Sequence, residues 1–83
     1  MRFTGQVHIQ LKPGVNDPQG NAVQHGLHAL GFSSVDQVQV GKYLTLRLEA
    51  ADETAARKAL EEMCGKLLAN PVIESYRAEV APA

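Results

Sequence analysis

The run from Asn16 to Gly31 encodes a helix start, an apolar face and a helix stop within sixteen residues, and the rest of the chain has to be arranged around that element. Asp17 suits the N-cap, because its carboxylate can accept from the first free backbone N–H groups and sits at the positive end of the helix dipole. Pro18 then fits the first helical position, where a missing N–H costs nothing and φ is already helical. At 100° per residue, Val23, Leu27 and Leu30 share a narrow face with Gly26 beside them, and His25 and His28 point away. The spacing predicts a helix that buries its aliphatic side and exposes its histidines. Gly31 is placed to adopt the left-handed conformation that ends a helix.

The flanking segments supply strands. Phe3, Val7, Ile9 and Leu11 alternate with Thr4, Gln6, His8 and Gln10, the period-2 pattern of a half-buried strand. Lys12 to Asn16 reads as a turn. After Gly31 come Val35–Val40 and Tyr43–Glu49, two further strand-like runs meeting at Gly41. A two-residue loop at Gly41-Lys42 would oppose Val40 to Tyr43 and mismatch the apolar faces. A three-residue loop, or one long strand bent at Gly41, keeps Val38 and Val40 in phase with Leu44 and Leu46, and both remain open. A second helix is predicted over Glu53–Leu68, capped by Asp52, with an apolar face of Ala56, Leu60, Met63, Cys64 and Leu67 and outward ion pairs Glu53–Arg57 and Glu62–Lys66. Asn70-Pro71 ends it. Val72–Val80 is the last strand, and Ala81-Pro82-Ala83 is expected to fray.

These elements describe one domain over residues 1–83: an α+β two-layer sandwich in βαββαβ order, with a mainly antiparallel sheet covered on one face by two helices. A chain of 83 residues buries a limited core, and its single cysteine, Cys64, excludes an internal disulfide framework, so association with another chain is the expected source of further stability. Pairing through the uncovered sheet face or an edge strand is the expected mode. Eight basic and nine acidic residues, without a basic cluster, argue against nucleic-acid binding. No run approaches a membrane span and Met1–Gln6 does not open a signal peptide, so the expectation is a cytoplasmic protein with no membrane partner.

The catalytic constellations are incomplete. His25 and His28 at i,i+3 supply half of a tetrahedral metal site and no third ligand stands at motif spacing. His8 has no serine, cysteine or carboxylate partner from which to assemble a triad. Cys64 lies on an apolar helix stripe, where cysteines are core residues rather than nucleophiles. Val40-Gly41-Lys42 lacks the upstream glycine of a phosphate-binding loop. The loop after the first strand carries Lys12 but not the arginine that an acylphosphatase-type site requires.

Four segments nonetheless form a recognisable series: Asp17-Pro18-Gln19-Gly20, Ala22-Val23-Gln24-His25 running to Leu27-His28, Val40-Gly41-Lys42-Tyr43, and Leu67-Leu68-Ala69-Asn70-Pro71-Val72-Ile73-Glu74. In this order they resemble the PurS family, the small subunit of formylglycinamide ribonucleotide amidotransferase, also called phosphoribosylformylglycinamidine synthase. The resemblance covers essentially the whole chain. It implies a subunit with no active site and no cofactor of its own, forming a homodimer or higher homo-oligomer. It further implies a bridge between a synthetase subunit that uses ATP and Mg and a glutaminase subunit, supporting ammonia transfer in de novo purine biosynthesis. Among the matched positions, Asp17, Pro18, Gly41, Asn70 and Pro71 are accounted for as caps and turns. Gln19, His25, Lys42 and Tyr43 are not, since exposed polar residues contribute little to stability, and they are the candidates for partner contact. Gly26, costly inside a helix, is a candidate for close packing against a neighbour. The competing class is a stand-alone small-molecule or metal-binding domain, or a hydrolase, on the same scaffold; metal analysis and an acyl-phosphate hydrolysis assay separate it from a subunit.

Overall fold

Alternating inward residues build the sheet. In the computed structural model, which describes residues 1–83, β1 (Arg2–Leu11) buries Phe3, Gly5, Val7 and Ile9 on one face and leaves Thr4, Gln6 and His8 half-buried on the other. It is the central strand of three. β2 (Lys42–Glu49) and β3 (Glu74–Pro82) pair with it on either side, both antiparallel, in the order β2-β1-β3. The register opposes Val7 to Leu44 and to Ala78, and Gly5 to Leu46 and to Val80, so the apolar sets of all three strands share one face. A Cβ on Gly5 would come within 3.1 Å of the Leu60 side chain, which shows how closely the helix approaches the central strand.

That face is covered by α2 (Glu53–Met63), capped by Asp52, whose carboxylate accepts from Ala55 N at 2.8 Å. Leu60, Cys64 and Ala69 are buried in one cluster with Val7 and Ile9, with Leu44, Leu46, Met63, Leu68, Ala78 and Val80 packed around them, and Ala56 is buried one turn earlier on the helix. Tyr76 ties β3 to the helix by donating its hydroxyl to Glu61 Oε2 at 2.7 Å, and this bond holds the phenol above its ordinary pKa. Burial, with the nearby Glu61 carboxylate second, pushes the Cys64 thiol up.

The helix does not continue regularly to Leu68 as its apolar spacing predicts. Cys64–Leu68 forms a π turn, closed by Ala69 N donating to Cys64 O at 3.0 Å. An i→i+5 turn advances less than 100° per residue, so Leu67 rotates outward to 83% exposure and Leu68 packs on the core in its place. The C-terminal residues expected to fray are paired instead: Pro82 opposes Phe3, and Ala83 N donates to Arg2 O at 3.0 Å. Pro82 is tolerated because β3 is an edge strand, where an absent N–H breaks no ladder.

The first helix departs furthest from expectation. α1 (Pro18–Ala29) starts and stops as its sequence predicts, with Asp17 at the N-cap and Gly31 at φ +98° after it, but it makes almost no contact with the sheet or with α2. Val23 and Leu30, predicted to be buried, are 46% and 75% exposed. The neighbour of α1 is the Val35–Val40 segment, which forms no strand within the chain. Gly20, the one buried residue of α1, lies so close to Val38 O that a Cβ would collide with it. Gln24 Nε2 donates to Asp36 O at 2.9 Å, and His28 Nε2 lies 2.6 Å from Val35 O. One stripe, Gly20, Gln24 and His28, thus faces this segment, while the aliphatic stripe faces outward. Only α2 covers the sheet, and the molecule is elongated, at 52 × 26 × 14 Å. Its radius of gyration of 16.5 Å compares with about 12 Å for a compact chain of this length.

Candidate functional site

Three of the sequence motifs meet where β1 ends. Asp17 is the hinge of this junction. One carboxylate oxygen caps α1 by accepting from Gly20 N at 2.9 Å, and the other accepts from Val40 N at 3.0 Å, tying the start of the helix to the approach of β2. These two backbone donors, Gly20 first, hold the Asp17 carboxyl below its ordinary pKa. Gly41 follows, and a Cβ there would stand 2.6 Å from Ile9 O, so only glycine lets the chain pass this close to β1.

Lys42 is the first residue of β2 and opposes Ile9, so its side chain leaves the sheet on the α2 side. There its Nζ lies 3.4 Å from Glu74 Oε2, with the glutamate side chain 11% exposed and the lysine 65% exposed. Glu74 also accepts from Asn70 N at 2.7 Å, and this hydrogen bond, with Lys42 next in order among the groups favouring the anion, keeps its carboxyl below the usual range. Asn70 closes the turn around Pro71: its side chain accepts from Val72 N at 3.0 Å and its carbonyl from Glu74 N at 2.7 Å. Lys12 clamps the same turn, its Nζ donating to Pro71 O at 2.7 Å and its N to Ile73 O at 2.8 Å.

The result is a cleft of about 270 Å³ whose lining includes Pro18, Gln19, Gly41, Lys42 and Glu74. Of the four candidate contact residues, the structure brings Gln19 and Lys42 together there. Tyr43 lies on the opposite face of the sheet, stacked on His8 with ring centroids 4.6 Å apart, and Arg77 Nη2 approaches His8 Nδ1 at 3.4 Å. His25 is exposed on α1, apart from both. Sequence reasoning reads Lys12 only as the residue in place of an acylphosphatase arginine, and Glu74 only as the end of a matched segment; neither is among the candidate contact residues. Parity offered a signal for Glu74, because it shares the inward phase of Tyr76, Ala78 and Val80, and an inward carboxylate at a strand start calls for a counter-ion.

Chemically the cleft is a fixed Lys42–Glu74 ion pair beside the exposed amide of Gln19. Nowhere do three of the histidine, cysteine, aspartate and glutamate side chains converge to hold a metal ion. No helix is long and apolar enough to cross a membrane.

A family profile matches nearly the whole chain: the PurS profile, described as phosphoribosylformylglycinamidine (FGAM) synthase, matches residues 4–82. The chain belongs to the PurS family. It is 51% identical over 75 residues to the PurS subunit of phosphoribosylformylglycinamidine synthase from Synechocystis, covering 90% of this chain and 75% of that protein. The corresponding PurS subunit of Bacillus subtilis is 49% identical over 75 residues, covering 90% and 88%. Among solved structures, Thermus thermophilus PurS superposes with a TM-score of 0.86 at 39% identity, covering 100% of this chain and 99% of that one. PurS of Methanocaldococcus jannaschii, described as one of the subunits of formylglycinamide ribonucleotide amidotransferase in the purine biosynthetic pathway, gives 0.84 at 40% identity, covering 98% of each. The α+β fold with its antiparallel sheet is therefore that of PurS.

Proposed function

We propose that this chain is the non-catalytic small subunit of phosphoribosylformylglycinamidine synthase in de novo purine biosynthesis. On this reading it is a cytoplasmic homo-oligomer that bridges the synthetase and glutaminase subunits and supports the passage of ammonia between them. The observation that carries the reading is the family match along residues 4–82. A PurS chain within the structure of PurLQS from Thermotoga maritima shares the fold at a TM-score of 0.87 and 27% identity, covering 98% of this chain and 99% of that one, which supports partner subunits of the same kind.

ATP and Mg belong to the synthetase on this reading, and this chain contributes surface rather than chemistry. Gln19 and Lys42 form the first contact region. Lys42 is held by Glu74 yet 65% exposed, so its ammonium is oriented without being withdrawn from solvent. His25 and Tyr43 lie on separate faces, as two sides of a bridge would require. The experiment is reconstitution with purified synthetase and glutaminase subunits, ATP, Mg, glutamine and formylglycinamide ribonucleotide. Co-elution of all three chains and glutamine-dependent amidine formation that requires this chain are the expected results. Co-elution with neither partner would falsify the proposal.

A further inference from the structure

The outer face of the sheet, away from α2, carries a group of side chains that neither the core nor the Lys42–Glu74 cleft uses. At one register level His8 of β1 stands opposite Tyr43 of β2 and Arg77 of β3. One step along the same face, Gln10 stands opposite Ser75. His8, Gln10, Arg77 and Ser75 therefore occupy the corners of a rectangle of about 5 by 7 Å, set by the cross-strand spacing and by the rise of two residues. They line a cleft of about 200 Å³ together with Tyr76, whose hydroxyl is committed to Glu61.

Each corner offers a hydrogen-bond donor. A guanidinium can only donate, so the 3.4 Å approach of Arg77 Nη2 makes His8 Nδ1 the acceptor and, in the neutral ring, leaves the proton on Nε2. The Tyr43 ring, stacked on His8 with centroids 4.6 Å apart, fixes the plane of the imidazole. Gln10 and Ser75 are exposed, and their amide and hydroxyl are free to turn toward the cleft. Glu79 supplies a neighbouring carboxylate: its Oε1 lies 3.5 Å from Arg77 Nε, an exposed pair that takes one side of the guanidinium and leaves the Nη groups.

Four donors around so small a space suit an acceptor whose oxygens point several ways. A carboxylate is planar, and a guanidinium alone can satisfy its two oxygens. A phosphate monoester presents three acceptor oxygens and can reach guanidinium, imidazole, hydroxyl and amide together. We propose that this cleft binds the phosphate of a small phosphate monoester, with Arg77 as the charged anchor and His8, Ser75 and Gln10 as the neutral donors. Binding does not depend on the subunit reading. Its biological setting does rest on that reading, under which the ribonucleotide handled by the complex carries such a phosphate. The Arg77 side chain is 69% exposed, so the site is weak and screened by salt.

The test is an NMR titration of the full chain, at constant ionic strength, with ribose 5-phosphate, inorganic phosphate and acetate in turn. Ribose 5-phosphate is expected to shift the His8 ring, the Arg77 guanidinium and the Gln10 amide together, saturating with a dissociation constant of about 1–10 mM. Acetate is expected to bind at least about tenfold more weakly. Arg77→Lys keeps the charge but loses the planar fork and should weaken binding by ~10-fold. Glu79→Gln removes the competing carboxylate and should tighten it by ~3-fold. A general loss of structure would not move the two variants in opposite directions. No saturable shift at these side chains up to about 50 mM ribose 5-phosphate, equal affinity for acetate, or a response to inorganic phosphate alone overturns the site. Unchanged affinity in both variants overturns it as well, by removing its anchor. Failure of the chain to co-elute with the synthetase would count against the subunit reading and leave the titration standing.

Discussion

Asp17 and Val40, 23 residues apart in the chain, are joined by a 3.0 Å hydrogen bond from the Val40 N–H to the Asp17 carboxylate. The other oxygen of the same carboxylate caps α1 through Gly20, so one side chain both starts the helix and fixes where the chain returns to the sheet. Asp17→Ala is expected to free both donors. Hydrogen exchange should show the Gly20 and Val40 amides losing protection by at least about tenfold, the scale of one lost hydrogen bond to a charged group, while core amides of β1 such as Val7 stay protected. Unchanged exchange at Val40 would show that the bond does not hold the start of α1 to the approach of β2.

Acid should weaken this end of the molecule first. Asp17 and Glu74 both have folded-state pKa values below their ordinary ones, so in the window between the two values the unfolded chain binds more protons than the folded one, and stability rises with pH. Their contribution is complete above the ordinary carboxylate range, near pH 4–4.5, and is lost as pH falls through the lowered values. Melting temperature measured from about pH 6 down to about pH 2 should fall less steeply in a Glu74→Gln, Asp17→Asn double variant than in the parent. An acid limb of equal slope in both would remove these carboxylates as its cause.

Gly41 and Gly65 should respond oppositely to alanine. At Gly41 the new methyl would meet backbone, Ile9 O at 2.6 Å, and a loss of about 1–3 kcal/mol is expected from the forced shift. Gly65 has open space around its Cβ position and lies in helical backbone, so Gly65→Ala should gain roughly 0.5–1 kcal/mol. Urea denaturation of the two variants measures both signs.

Leu60 and Leu67 separate burial from apolar character. Leu60 is 1% exposed and Leu60→Ala should cost about 2–5 kcal/mol. Leu67→Ala, at 83% exposure, should fall within about 0.5 kcal/mol of the parent. Equal losses at the two sites would mean that Leu67 is buried and that the π turn is not the solution conformation.

Partner binding should depend on the cleft. Lys42→Ala and Gln19→Ala are expected to weaken complex formation by roughly tenfold each, as an interface residue worth about 1.4 kcal/mol does, while circular dichroism of the isolated chain is unchanged. Full affinity in both variants would place the contact elsewhere, with His25 and Tyr43 the next positions to test.

The parts of the structure governed by neighbours in sequence were legible before it. The caps at Asp17 and Asp52, the stop at Gly31 and the inward phase of Phe3, Val7 and Ile9 each follow from residues within a few positions. The apolar stripe of α1 was legible too, but not where it would find cover, because periodicity identifies a buried face without naming what buries it. Val35–Val40 has the alternation of a strand, but alternation alone supplies no pairing edge, and the segment lies against α1 instead. The phase shift at Leu67 depends on i→i+5 hydrogen bonding for which the residues carry no mark. Of the candidate site, the motif positions were visible individually, and the pairing of Lys42 with Glu74 required knowing that β2 and β3 flank the same strand.

The π turn at Cys64–Leu68 has a consequence for how this chain tolerates changes in length. It spends one residue more than an α-helical turn to reach the same place, so the surplus is concentrated at one exposed position. Deleting Lys66, a solvated residue within it, should let an ordinary helical turn form and deliver the downstream Ala69 and Asn70 to the sheet in nearly their present positions. A deletion at Ala59, inside the regular part of α2, has no such slack and would rotate Leu60 and Cys64 off the core together.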